Sequence, residues 1–199
     1  MRGRPLVVVG LDLAGVPGRP TGFCLLRGLE ALTRELFPDE EILTAAAGAA
    51  PDLVAIDAPL HLPPGRSSIH ERNDRHYRPC DLELRRRRIP FFPITLGPMR
   101  GLTARGMGLR SRLEESGIRT VEMYPGGAQD VWGIPRARRD RKGLRRCLAG
   151  LGLKGLRPDA SDHELDAATG ALVGRLYLQG RAELLGDLET GAIILPRRR

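Results

Sequence analysis

The sequence predicts a mixed α/β domain, and three observations predict it. Two short apolar runs, Leu6 to Leu11 and Leu53 to Ile56, have the unbroken hydrophobicity of central strands buried on both faces, and each stops at an aspartate, Asp12 and Asp57. A third segment, Arg119 to Pro125, alternates polar and apolar residues with the period of a strand and carries Glu122. From Ser161 onward the spacing turns helical, with Leu165, Ala168, Leu172 and Leu176 on one stripe and Ser161 as the cap. A chain of 199 residues suffices for one full-sized α/β domain, spanning 1–199, and is short for two.

The elements follow in order. After the first strand, the turn formers from Ala14 to Pro20 lead into a returning strand at Thr21 to Leu26, and a third short strand is expected around Leu29 to Leu36. Asp39, Glu40 and Glu41 open a helix over about residues 39–49, where acidic side chains suit the positive end of the helix dipole. Leu53 to Asp57 is the fourth strand, ended by Ala58-Pro59. Residues 60–118 hold Pro63, Pro64, Pro79, Pro90, Pro93 and Pro98 and read as a loop-rich insertion with two helices, Asp81 to Arg88 and Leu102 to Ser116, between the fourth and fifth strands. The fifth strand ends at Pro125. A helix near 142–151 and the long helix from Ser161 to about Gln179 follow, and Ala192 to Leu195 closes the chain as an edge strand.

The chemistry is concentrated at strand ends. Asp12, Asp57 and Glu122 all stand at the carboxyl ends of expected strands, where open α/β sheets bind ligands, and His163 and Asp166 share a face at the start of the last long helix. Like charges gathered in one place repel unless a proton or a cation is shared among them. Hard cations such as Mg2+ or Mn2+ prefer carboxylate oxygens, and one or two such ions can activate water for phosphodiester hydrolysis. Taken singly, an aspartate at a strand end is as readily a turn former; the combination favours a metal centre. Asp162 reads either as a further ligand or as a first-turn acid serving the helix dipole.

Composition adds a partner. The net charge is +8, carried by 32 basic against 24 acidic residues, and only Lys142 and Lys154 are lysines. An arginine bias by itself says little, but the clustering at Arg85 to Arg88, Arg136 to Arg146 and Arg197 to Arg199 favours phosphate contact and hence nucleic acid. Cys24, Cys80 and Cys147 are dispersed and odd in number, which fits a reducing cytoplasm, and the apolar run before Asp12 is too short for a signal peptide or membrane span. His70, His76 and Cys80 match no common zinc spacing. The glycine-bearing turn from Gly15 to Gly22 could cradle a phosphate, yet it lacks the lysine of a P-loop.

Five blocks carry a resemblance: Val9-Gly10-Leu11-Asp12-Leu13-Ala14-Gly15 with Pro20-Thr21-Gly22; Ala55-Ile56-Asp57-Ala58-Pro59-Leu60; Arg78-Pro79-Cys80-Asp81 with Arg85; Val121-Glu122-Met123-Tyr124-Pro125-Gly126; and Asp162-His163-Glu164-Leu165-Asp166-Ala167. Together they resemble the domain-of-unknown-function 429 family, described as a predicted nuclease with an RNase H-like fold. The resemblance implies a five-stranded mixed sheet flanked by helices and a carboxylate site for Mg2+ or Mn2+. The His163-x-x-Asp166-Ala167 block is similar to the last motif of RuvC-type Holliday junction resolvases, and Asp12 and Asp57 match the first and middle carboxylate positions. The fourth ligand is Glu122 or, by analogy with the helix glutamate of RNase H proper, Glu40 or Glu41. Arg78, Asp81 and Arg85 either bind phosphate or lock the insertion. Arg139 and Lys142 are expected on the nucleic-acid path. The expected activity is a metal-dependent nuclease whose catalytic groups are Asp12, Asp57, Glu122 and Asp166, with His163 on the metal. An inactive nucleic-acid-binding module and a nucleotide phosphoryl-transfer enzyme of related fold are the rivals. The oligomeric state, homodimer included, is left open.

Overall fold

The strand Val7–Asp12 (β1) runs through the middle of the sheet because nothing along it before Asp12 needs water: Val7, Val8, Val9 and Leu11 are all buried. The computed structural model describes residues 4–197. Thr21–Arg27 (β2) returns antiparallel to β1, and Glu30–Leu36 (β3) pairs antiparallel with β2 across the two-residue turn Gly28-Leu29, where Gly28 takes a φ of 60°. Asp39–Gly48 (α1) leads to Leu53–Asp57 (β4), which pairs parallel with β1. Pro79–Arg86 (α2) and Gly97–Glu115 (α3) precede Thr120–Met123 (β5), parallel to β4. Pro125–Trp132 (α4), Arg141–Gly150 (α5) and Asp162–Leu178 (α6) come next, followed by the hairpin Ala182–Asp187 (β6) and Gly191–Pro196 (β7). The order across the sheet is β3-β2-β1-β4-β5-β7-β6.

Helices cover both faces. On one, α5 and α6 pack Leu144, Leu148, Leu165 and Ala168 against Val8, Cys24 and Leu26. On the other, α1 and α3 pack Ile42, Ala46, Leu109 and Leu113 against Val9, Leu11 and Ile56. Helix α6 lies unusually close to the sheet. A Cβ on Gly10 would come within 2.0 Å of the Ala167 carbonyl oxygen, and one on Gly22 within 2.0 Å of that of His163. These two glycines let the helix backbone rest directly on β1 and β2, which brings the first turn of α6 beside the end of β1.

Four expectations change. The sheet has seven strands, not five, because the C-terminal hairpin extends a five-stranded mixed core (β3-β2-β1-β4-β5). The run Ala192 to Leu195 is interior, between β5 and β6, and β6 is the edge; its Glu183, Gly186 and Asp187 hide the strand pattern. The stretch 60–118 is not wholly an insertion, since α3 starts at Gly97 and packs Leu109 and Leu113 into one core layer. Pro125 does not merely stop β5 but sits at the first position of α4, where its fixed φ and missing N–H cost nothing. Arg198 and Arg199 of the terminal basic cluster, and Met1 to Gly3, lie outside the described residues. No helix among the described residues is long and apolar enough to cross a membrane.

Candidate functional site

Asp12 and Asp57 are register partners at the carboxyl ends of the neighbouring parallel strands β1 and β4. The pleat puts Gly10 and Asp12 on one face of β1 and Ala55 and Asp57 on the same face of β4, the face against α6, where Gly10 meets Ala167 and Gly174 meets Ala55. The start of α6 is set by a capping box: Ser161 Oγ accepts from the Glu164 N–H at 3.2 Å, and Glu164 Oε2 accepts from the Ser161 N–H at 2.9 Å. Glu164 is buried and its Oε1 also accepts from Thr33 Oγ1 (2.8 Å) and Arg157 Nη2 (2.9 Å), tying the helix start to β3. His163 then reaches Asp12, with Nδ1 2.6 Å from Oδ2. Asp166, one turn further, accepts at 2.6 Å from the amide of Gln129 on α4.

The loops beyond the two strands are held by α3. The buried guanidinium of Arg105 donates to the Ala14 carbonyl (2.6 Å), the Phe37 carbonyl (2.8 Å) and Asp39 (2.7 Å). Gly106 leaves no room for a side chain, since its Cβ would lie 2.8 Å from that of Ala58. The residues following Asp12 and Asp57 therefore rest on a rigid helix rather than on a mobile loop.

The electrostatics of this edge are those of charges without enough counter-charge. Burial raises Asp57 well above the usual carboxylate range, and the neighbouring Asp12, Asp166 and Glu122 raise it further. Burial and Asp12 push Asp166 up to about 7, against the opposing hydrogen bond from Gln129. His163 is raised by its hydrogen bond to Asp12 and by the surrounding acids. Asp57 and Asp166 thus hold protons beyond the usual carboxylate range beside a third carboxylate, Asp12, the condition a bound cation relieves. Their oxygens are the hard donors that Mg2+ or Mn2+ takes, so the donor chemistry fits such an ion. Among the described residues no three His, Cys, Asp or Glu side chains stand ready-made around one point.

Glu122 is arranged differently. Its register partner is Ile56, so its side chain leaves the face of the sheet opposite to Asp57. There it is buried and receives Arg78 in a two-pronged pair, Nη1 to Oε2 at 2.6 Å and Nη2 to Oε1 at 2.8 Å, plus the Leu60 N–H at 2.9 Å. Burial raises Glu122, and Arg78 opposes the rise. Arg78 is only 1% exposed and also binds both oxygens of Asp81, which in turn caps α2 by accepting from the Arg78 N–H at 2.8 Å. Of the two roles expected for Arg78, the geometry is that of the lock: it fastens α2 to β5.

The remaining expected residues scatter. Glu40 is exposed and paired with Arg112, and Glu41 accepts from the Phe37 N–H, so neither reaches the carboxylate edge. Arg85 is exposed on α2 and lies over the ring of Tyr77. Arg139 lines the cleft above Asp12 and Asp57, whereas Lys142 points to solvent from α5. Asp162 lines the cleft and contributes to the rise of Asp166. His76 binds Thr95 through Nδ1 at 2.8 Å and Cys80 sits in the apolar core, apart from any shared centre. The glycine turn after β1 yields no phosphate cradle at Gly22, which the α6 backbone occupies.

A cleft of about 650 Å3 opens over Asp12, Asp57, His163 and Asp166, and Glu122, Arg78 and Asp81 line it as well. A larger hollow of about 810 Å3, between Arg87, Trp132 and Arg197, contains none of them and lacks this electrostatic strain. Sequence reasoning missed Gln129 and Arg19 as cleft residues, while Arg136, from the basic cluster, lies there too. The signal for Gln129 was Pro125 read as a helix start; Gly126-Gly127 obscured it, and both glycines are needed because the Tyr124 ring folds back over that first turn, 2.7 Å from where a Gly127 Cβ would sit.

Comparison with known proteins places these features in context. Two solved structures of RuvC from Thermus thermophilus are similar in outline, one of them in complex with a Holliday junction substrate. They are 15% and 16% identical, each match covers 88% of this chain and 97% of the other, and each has a TM-score of 0.45. No curated protein matches the chain. The model of the DUF429 family, proteins of unknown function, matches residues 10–190, a span that contains every carboxylate described above. The chain belongs to the DUF429 family.

Proposed function

We propose that the protein is a metal-dependent phosphodiester hydrolase of RNase H-like type that acts on nucleic acid. The observation that carries this reading is the convergence of Asp12, Asp57 and Asp166, from two adjacent strand ends and one helix start, in a single cleft where burial and neighbouring carboxylates raise Asp57 and Asp166. Asp12, Asp57 and Asp166 would hold one or two divalent ions. Bound there, Mg2+ or Mn2+ supplies a Lewis acid for phosphoryl oxygens and lowers the pKa of coordinated water.

The chain's own groups do the rest. His163 donates from Nδ1 to Asp12 and Gln129 donates to Asp166, so both carboxylates are aimed by neighbours, the arrangement that tunes ligands in metal centres. Glu122 acts at one remove, by holding Arg78 and through it α2 against the sheet, rather than as a ligand. Arg139, with Arg19 and Arg138, lies along the cleft with its side chain engaged by no acceptor among the described residues, free to take phosphates.

The test is cleavage of labelled single-stranded, duplex, hybrid and four-way-junction substrates with Mg2+, Mn2+ or EDTA, beside Asp12→Asn. Cleavage that needs the metal and falls by at least a hundredfold in the folded variant is expected. Cleavage that survives the substitution contradicts the assignment, and absence of cleavage with tight, salt-sensitive binding supports an inactive binding module instead.

A further inference from the structure

The same cleft has an aromatic wall that the hydrolysis reading leaves unused. Pro90-Phe91-Phe92-Pro93 crosses from α2 to α3 between two prolines, which fix the backbone and carry no N–H. Three bonds hold the segment, one at Pro90 and two at Thr95 just beyond it. Tyr124, at the end of β5, donates its hydroxyl to the Pro90 carbonyl at 2.6 Å; Arg100 Nε donates to the Thr95 carbonyl at 2.8 Å; and His76 bonds the Thr95 hydroxyl. Phe91 is half-buried, lines the cleft with one side and meets Tyr77 edge to face, with ring centroids 6.1 Å apart. Phe92 turns outward into the cleft and is 68% exposed. Its exposure is therefore built into a rigid loop. A large apolar ring held in water on a fixed backbone, in a cleft that also carries the guanidiniums of Arg19, Arg138 and Arg139, which meet no acceptor among the described residues, suits a ligand with one flat apolar face and a phosphate chain.

We propose that Phe92 is a stacking platform for an unpaired nucleobase, so that the substrate class is a polynucleotide with a single-stranded or extruded base at the cleaved position rather than continuous duplex. The inference rests on the hydrolase reading for its placement beside Asp12 and Asp57. The cleft, about 650 Å3, has room for a nucleotide beside Asp12 and Asp57, and Phe92 lines the same space. The cost of ordering the platform is already met by the proline-flanked loop.

The experiment is binding in EDTA, where catalysis plays no part. Fluorescence anisotropy is read for a labelled single strand, the same strand in a full duplex, and a duplex with one unpaired base, each as DNA and RNA, against the full chain and Phe92→Ala and Phe92→Trp. The expected result is at least tenfold tighter binding of both unpaired forms than of duplex, a loss of about tenfold in Phe92→Ala and recovery in Phe92→Trp. Equal affinity for duplex, or wild-type affinity of Phe92→Ala with an unchanged melting temperature, overturns the inference; the DNA and RNA arms tell which sugar is preferred. The two readings fail separately. Metal-dependent cleavage at the wild-type rate by Phe92→Ala sinks this proposal alone, and Phe92-dependent binding without cleavage of any substrate sinks the hydrolase alone.

Discussion

A half-buried group of carboxylates, Asp12, Asp57 and Asp166, and a buried one, Asp81 and Glu122, line one cleft, and they are built on opposite principles. Asp81 and Glu122 enclose Arg78, and each of their oxygens has a donor, so the charges are balanced within the fold. Asp12, Asp57 and Asp166 have one imidazole and one amide among them, and burial together with neighbouring carboxylates raises Asp57 and Asp166. Balanced burial is what a structural cluster needs. An unbalanced cluster costs stability, and one that opens to a cleft is a candidate ligand site.

The largest expected effect breaks the balanced side. Arg78→Ala leaves Glu122 and Asp81 buried without their partner and is expected to cost about 3–5 kcal/mol, read as a shift in the urea midpoint. Asp12→Asn on the unbalanced side is expected to cost little or to stabilise the metal-free protein, because it removes a like charge. Equal losses in the two variants would erase the distinction between the clusters.

A smaller effect tests the packing that creates the unbalanced side. Gly22→Ala sets a methyl against the His163 carbonyl, so α6 must shift. A loss of about 1–3 kcal/mol is expected, together with a loss of activity larger than the stability change explains, since His163 and Asp166 move with the helix. Stability and activity both at wild-type level would mean that α6 need not lie on β2 to form the site.

Much of this contrast could be read from the residues. Asp12 and Asp57 were visible because apolar runs ended in them, and the start of α6 was visible because Ser161 caps it. The fate of Glu122 was not. Alternation on a strand says which residues share a face but not which face meets which helix, and that depends on register: Glu122 pairs with Ile56, one residue short of Asp57. Arg78 likewise read as a phosphate contact or as a lock, and only its long-range pairing with Glu122 separates the two. The aromatic platform was hidden in a proline-rich stretch whose order comes from side-chain bonds to its carbonyls, a contribution no local pattern reports.

The most direct measurement concerns protons and cations at the unbalanced cluster. Asp57 and Asp166 bind protons more tightly folded than unfolded, so the stability they give is full in acid and is lost as pH rises from the ordinary aspartate range, about 4, through the raised values, about 7 for Asp166. The raised His163 acts in the same direction. The melting temperature of the metal-free protein should therefore fall between pH 5 and 8, a range about those values. Added Mn2+, which takes the deprotonated carboxylates, should raise it by an amount that grows with pH. Asp57→Asn should flatten the metal-free slope and abolish the Mn2+ response. A Mn2+ response that is absent from the wild type at every pH, or unchanged in Asp57→Asn, would contradict the claim that Asp12, Asp57 and Asp166 form a cation site.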